Sequence, residues 1–576
     1  MVPRISTATA HASAIRLCGL MYFFAFLGNV IDGPVMWMLT APGGGFTASS
    51  LCWLNALALV PSLVVVARPR CWIALAACWP LWYVTYTNGN GSHGVWFFDS
   101  WDTMLLDAGF LCVALSISLT LYDGEVEATR HLGEEGCLRA GLLERAGGQD
   151  DGADEPAASS RGCLCSSWGA PPAVGDRVVP CGAAVRWSVL LSELSLTLMA
   201  CRIFVGSGLL KLAVGSSCWR DLTCLYDFFE MQMCPTRLAW FLHNYVPHTA
   251  MQLMQFFAIN VAECIAPLLC LGYGAGMLVV SLMPAATTPK GWKTVQRCLE
   301  QLAALRWFNA MIIIVFVSGM FVGGNFAFLH PLSLVPVVAS LGTVHSIPVT
   351  FEKSSSGGAG QTLRKYYSKL APAAIVCSLL FAFLPSLQAY AWMLHGTQDS
   401  GSLMGSIMSL PPVRVASELY LGIPYQRHDY FATGLVHVRN EMVLSAQLGD
   451  EWVELDIPLK AGSLDRIASQ SSPLHRRFAW MWWFLPMTGA GVVGEAASPV
   501  WFDRFLEKLC GRDPTAWAAV ERSPAHDRLP ELRRVAAQMY SYHFSKPGAS
   551  GWWTRVSHGN VSWPGLGSTR IEKVCG

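Results

Sequence analysis

The sequence predicts a polytopic α-helical membrane protein, with about nine spans and an odd number of them, carrying a C-terminal lumenal α+β domain. Three observations predict it. The chain has 576 residues, 53% hydrophobic and 14% charged, with a mean hydropathy of +0.38, whereas soluble domains carry about 25% charged residues. Its apolar residues gather into repeated runs of about 20, the length a helix needs to cross a bilayer. Lys and Arg cluster at the ends of alternate runs, which orients the chain.

The runs fall at Ile15–Val35, Ser49–Ala67, Cys71–Thr87 and Asp102–Leu121, then Trp187–Leu212, Thr249–Met283, Trp307–Leu329, Pro331–Val349 and Leu370–Leu394. The first lacks a small-residue cleavage pattern and reads as a span that stays in place. The sixth is too long for one straight helix and carries Gly272-Tyr-Gly-Ala-Gly276, so it reads as a crossing broken or tilted there, or as two. The eighth is punctuated by Pro and reads as a span or a re-entrant segment.

Basic residues stand before the first run (Arg4, Arg16), after the second (Arg68, Arg70), after the sixth (Lys290, Lys293, Arg297, Arg306) and before the last (Lys353, Arg364, Lys365, Lys369). An odd number of spans puts all four stretches on the cytosolic side. The lumenal side then receives the link holding Asn90, the loop 213–247 and everything after His395.

The domain plan follows. Residues 1–122 hold the first transmembrane helices. Residues 123–180 are Gly-, Ala- and acid-rich, with Gln149-Asp-Asp-Gly-Ala-Asp-Glu155, and read as a disordered acidic cytosolic insert holding Cys163 and Cys165. Residues 187–394 hold the second helical group. The tail 395–576 mixes strand-like alternation (Glu451-Trp-Val-Glu-Leu-Asp-Ile457) with helix-like runs (Pro499–Leu509). At about 180 residues it can bury its own core.

Several chemistries are excluded. A net charge of +1 gives no field to steer nucleic acid. The 19 Cys form no CxxC pair, so no zinc ribbon or thioredoxin-like motif is supported. His243, His248, His437 and His543 lack metal-ligand spacing, and the tail has no Gly-Xaa-Ser-Xaa-Gly elbow. No cofactor is expected.

One ordered set of blocks carries a resemblance. Gly206-Ser-Gly-Leu-Leu-Lys-Leu212 precedes Cys218-Trp-Arg-Asp-Leu-Thr-Cys224, and Trp101-Asp-Thr-Met-Leu-Leu-Asp107 lies upstream. Asn260, Glu263 and Pro267 follow, then Gly323-Gly-Asn-Phe326 with Leu329. Arg477-Phe-Ala-Trp-Met-Trp-Trp-Phe484 and Tyr540-Ser-Tyr-His-Phe-Ser-Lys-Pro-Gly548 with Trp552 and Trp553 come last. Together, in this order, they resemble the lipase maturation factors. The resemblance implies a chaperone-like, non-enzymatic factor of the endoplasmic reticulum membrane with a lumenal C-terminal domain. It implies secreted, homodimeric lipases of the lipoprotein lipase type as partners, besides membrane lipid. The membrane part is more distantly similar to the vitamin K-dependent carboxylases, so the alternative is a membrane enzyme acting on a lipid-like substrate.

Candidate sites can be read residue by residue. Cys218 and Cys224 flank a short lumenal turn; they can pair with each other, or either with Cys234. Cys510 and Cys575 can close the tail. Ionisable residues inside spans need partners. Asp107 and Lys211 both lie near the lumenal end. Arg202 lies about 14 Å deeper than Lys211 at 1.5 Å per residue, level with Glu263. The expected pairs are Asp107–Lys211 and Arg202–Glu263, fixing helix register or lining a ligand cavity. Arg477, Trp480, Trp482 and Trp483 cannot share one amphipathic face, so they are either core or a segment with one side against the client, the bilayer surface or the transmembrane bundle. Asn90 and Asn560 begin glycosylation sequons.

Overall fold

The structure is a computed structural model describing residues 6–39, 46–89, 101–120, 183–213, 216–281, 289–342, 438–487, 499–560 and 569–575. The expected insert 123–180, the expected last span Leu370–Leu394, Cys163, Cys165 and Asn90 lie outside the described residues.

The helical part begins with α1 (Thr7–Leu39), α2 (Ala48–Ala67) and α3 (Trp72–Gly89), followed by α4 (Trp101–Thr120) and α5 (Ala183–Ala213). Thr47 starts α2 with a capping box, its hydroxyl accepting from Ser50 N–H while Ser50 accepts from Thr47 N–H, which satisfies two orphan donors. Helix α9 (His248–Phe256) runs through a π-helical stretch, Phe257–Ile265, into α10 (Ala266–Ser281). The long α11 (Pro289–Gly323) and the short α12 (Leu329–Ala339) complete the bundle. Among the described residues, six helices are long and apolar enough to cross a membrane: Thr7–Leu39, Ala48–Ala67, Trp101–Thr120, Val189–Leu212, His248–Met277 and Arg297–Gly323. Helix α3, with Trp72, Trp79, Trp82, Tyr83 and Tyr86, is not among those six.

The sixth expected span needs correcting. Its irregularity lies in the π-helical stretch rather than at the Gly run, and α10 passes through Gly272 and Gly276 unbroken. A π-turn adds a residue per turn and re-aims Glu263 toward α5.

Helix α12 leads back along the bundle. Near its start, Phe328 stacks edge-on against His475 with centroids 6.1 Å apart. Just beyond its end, a Cβ on Gly342 would stand 2.9 Å from Thr7 Cα. The described chain therefore stops at the Thr7 end of the bundle and resumes with Val438 and Arg439 at the other.

At that other end lie α6 (Ser217–Arg220), α7 (Cys224–Met231) and α8 (Arg237–Tyr245), which form the loop after α5. Next to them sits the C-terminal domain. Its sheet has order β2-β1-β3-β4, with β5 also pairing with β3. The strands are β1 (Arg439–Leu448), β2 (Glu451–Leu455), β3 (Leu532–Phe544), β4 (Trp553–Ser557) and β5 (Arg570–Val574), and every pairing is antiparallel. The long β3 offers Arg534–Gln538 to β5 and Tyr540–Phe544 to β4. Helices α13 (Arg477–Phe484), α14 (Val500–Cys510), α15 (Pro514–Ala518) and α16 (Pro524–Asp527) complete the domain. Phe478, Trp482, Trp501, Phe502 and Phe505 pack ring against ring where α13 meets α14. A disulfide joins Cys510 at the end of α14 to Cys575 just past β5.

Candidate functional site

The domain is keyed into the bundle by the first turn of α13. Arg477 is fully buried. Its Nη1 and Nη2 donate to Asp102 of α4 at 2.9 and 2.7 Å, and its Nε donates to Asn29 Oδ1 of α1 at 2.7 Å. Asn29 in turn donates to Asn55 of α2 at 3.0 Å. The guanidinium stands 5.6 Å from the ring of Trp82 in α3, whose Nε1 donates to the Asp102 carbonyl. One side chain thus gathers four helices. A buried pair repays its desolvation only when its geometry is good and its remaining donors are met, and a bidentate fork with a third acceptor meets that condition.

The neighbouring residues complete the junction. Arg476 pairs with Asp32 at 3.0 Å, and Phe478 N–H donates to the same carboxylate at 3.4 Å. The His475 carbonyl lies where a Cβ on Gly28 would come within 2.8 Å. The His475 ring packs against Trp101 and Trp480. Burial, and then the positive charge of Arg477, push that imidazole well below its ordinary pKa. The Asn325 side chain accepts from the N–H groups of Ser471 and Ser472 and donates to the carbonyls of Cys234 and Ser469.

A second lock joins the loop after α5 to the sheet. Arg439 donates to the carbonyls of Glu230, Gln232 and Met233. Glu230 accepts from Phe544 N–H at 2.8 Å and lies 3.1 Å from His543 Nδ1. Glu441 sits between Arg439 and Lys460, 2.5 Å from each. Burial lowers the Lys460 pKa against the opposing pull of Glu441. Cys218 and Cys224 form a disulfide with Cα atoms 4.7 Å apart. Cys234 is a free buried thiol, which burial pushes up to about 12.

The expected intramembrane residues all carry partners, but the partners are exchanged. Arg202 pairs with Asp107 at 3.2 Å, and Lys211 with Glu263 at 2.5 Å. The reason is rotation rather than depth. Arg202 and Lys211 stand nine positions apart on α5, about half a turn out of phase at 3.6 residues per turn. One therefore faces α4 and the other the π-helical stretch. Ser207 donates to Glu263 and accepts from Lys211.

The sequence reading missed a further cluster. Glu193 pairs with Arg306 and lies 3.5 Å from His11. Arg306, expected in a cytosolic flank, is buried inside the bundle and also donates to the Gly342 carbonyl at 3.0 Å. The signal was present, since a Glu inside an apolar run needs a cation.

Of the neighbours expected for the Arg477–Phe484 segment, the structure shows the transmembrane bundle and the domain core rather than an open client surface. Arg477, Trp480 and Trp482 are 0%, 2% and 0% exposed, spent on the bundle and the domain core. Trp483 is partly exposed, and Asn560 is exposed at the surface. Among the described residues no group of three or more His, Cys, Asp or Glu is arranged to hold a metal ion.

Residues 184–285 match the family described as the lipase maturation factor transmembrane domain, and residues 427–563 match the lipase maturation factor C-terminal domain. Lipase maturation factor 1 of Bos taurus is 23% identical over 528 residues, covering 87% of this chain and 74% of that protein. The Mus musculus counterpart is 22% identical over 547 residues, covering 90% and 74%. Lipase maturation factor 2 of Homo sapiens is 32% identical over 123 residues, covering 20% and 16%. No solved structure matches the chain. The helices and the junction define a multi-pass membrane protein with a C-terminal α+β domain locked onto one end of its bundle. Both matched segments meet at that lock, with Glu230 in the first and Arg439 and His543 in the second. Both lipase maturation factor domain models thus match this chain in order, and relatives of that name align with most of its length.

Proposed function

We propose that this protein is a membrane-anchored factor that helps secreted, homodimeric lipases of the lipoprotein lipase type to fold and assemble. It acts in the endoplasmic reticulum with its C-terminal domain in the lumen. The observation that carries this reading is the double lock: Arg477 holds the domain to the bundle, and Arg439 holds it to the disulfide-bearing loop. A domain fixed in this way presents a folding surface at a constant height above the bilayer. The burial of Arg477, Trp480 and Trp482 supports a client surface elsewhere on the domain or on the loop 213–247.

A non-enzymatic role is favoured over a membrane enzyme because Arg202 and Lys211, the cations that would line a catalytic cavity, are spent on Asp107 and Glu263. A glycan on the exposed Asn560 fits the same topology.

The test is deletion of the gene followed by measurement of secreted-lipase activity against secreted-lipase mass. Activity per unit mass should fall and return with the wild-type chain. An unchanged ratio overturns the reading. Protease added to sealed microsomes should spare the tail, and digestion without detergent overturns the lumenal placement.

A further inference from the structure

Helix α8 has two faces with different neighbours. On one, Trp240 Nε1 donates to the Ser545 carbonyl at 2.9 Å, and Trp240 stands edge-on to Trp552 at 5.3 Å. Ala239 is fully buried, and His243 packs against Phe544. This face grips the sheet. Positions 238, 241 and 245 share the opposite face at helical spacing, and there Leu238, Phe241 and Tyr245 are 37%, 50% and 53% exposed. The Phe241 and Tyr245 rings stack at 4.8 Å.

The surroundings of this face identify its occupant. Val246 and Pro247 turn the chain directly into α9, which exposes Leu253, Met254 and Phe256, and the π-helical stretch after it opens with the exposed Phe257. On the other flank, Leu242 Cδ1 lies 3.9 Å from the Cβ position of Gly323, at the end of α11, where Val322 is exposed. The apolar face of α8 is therefore continuous with the outer surface of two candidate spans, at the level where both end. Arg237 and Lys546 are exposed close by, and the Arg237 guanidinium lies 5.7 Å from the Trp552 ring.

We propose that α8 lies in the interfacial layer of the bilayer. Leu238, Phe241 and Tyr245 enter the boundary of the acyl chains, and Arg237 meets lipid phosphate. Amphipathic helices with a basic rim bind this layer through buried apolar area and attraction to anionic lipid, and aromatic residues favour the headgroup level. Gripping the sheet on one face and lipid on the other, α8 sets the height and tilt of the C-terminal domain. The inference rests on the membrane reading of α9 and α11.

The test incorporates p-benzoylphenylalanine in place of Phe241 in the full-length protein, reconstituted in nanodiscs of phosphatidylcholine and phosphatidylserine and irradiated. Leu253 on α9 and Val556 on β4, each 67% exposed, serve as lipid-facing and water-facing controls. The expected result is phospholipid adducts at position 241 several-fold above those at position 556. Adducts at 253 but not at 241 overturn the proposal. Adducts at neither overturn the membrane reading beneath it. A protein adduct at 241 that forms with an added purified lipase and excludes lipid makes the face a client site, which also overturns the proposal.

Discussion

Arg477 and Asp102, 375 positions apart in sequence, meet through two parallel hydrogen bonds in a site closed to solvent. The pair ties the C-terminal domain to the first turn of α4, and Asn29 and Asn55 extend it across α1 and α2. The domain and the helices are therefore coupled through a buried pair in which neither charge can lose its partner without being stranded.

Removing one partner should be far worse than removing both. Arg477→Leu or Asp102→Leu alone strands a buried charge, at a cost of about 3–5 kcal/mol, and accumulation in membranes should collapse. The double substitution should recover a large part of it. Arg477→Lys should fail too, because a point charge cannot replace the bidentate fork. Immunoblot yield and thermal unfolding in detergent read both effects. Equal, additive losses would mean that the contact does not exist.

The exchanged intramembrane pairs make a directional prediction. Arg202→Leu should be rescued by Asp107→Leu and not by Glu263→Leu, while loss of Lys211 should be rescued through Glu263. Double-mutant cycles on accumulated protein check this, with coupling of roughly 1–3 kcal/mol within each true pair. Coupling between Arg202 and Glu263 would restore the pairing that depth alone suggests.

Two glycines should behave oppositely. Gly28→Ala places a methyl 2.8 Å from the His475 carbonyl, and overpacking of this kind costs about 1–3 kcal/mol. Gly272→Ala in α10 meets nothing within 4 Å and should be neutral, or stabilising by up to about 1 kcal/mol. Limited proteolysis of the junction, comparing the two variants with wild type, separates a local steric effect from a general cost of altering helices.

The His475 ring gives the junction an acid sensitivity. Its folded-state pKa is lowered by burial and by Arg477, so the unfolded state binds the proton more readily. The contribution to stability is complete above the ordinary value of about 6.5 and is lost as pH falls below it. Thermal stability should therefore decline from neutral toward mildly acidic pH, and His475→Phe should flatten that limb. An unchanged slope in the variant would remove His475 as the cause.

Some of this protein was legible in its residues and some was not, and the division has a physical basis. Composition and runs of about 20 apolar residues determined the membrane class, because the bilayer sets helix length without reference to neighbours. The ordered blocks around Cys218, Arg477 and Tyr540 carried the family resemblance. That Arg202, Lys211, Asp107 and Glu263 need partners was also legible, since a lone charge in hydrocarbon is costly. Who pairs with whom was not: depth along a span can be counted, but the rotation of α5 against α4 and the π-turn before Glu263 exist only in the packed bundle. The same holds for Arg477-Phe-Ala-Trp-Met-Trp-Trp-Phe484. Its basic-aromatic pattern showed that one helix face could not bury it all, yet only the tertiary structure decided that its second neighbour was the protein's own bundle, where Asp102, buried and far away in sequence, required a guanidinium.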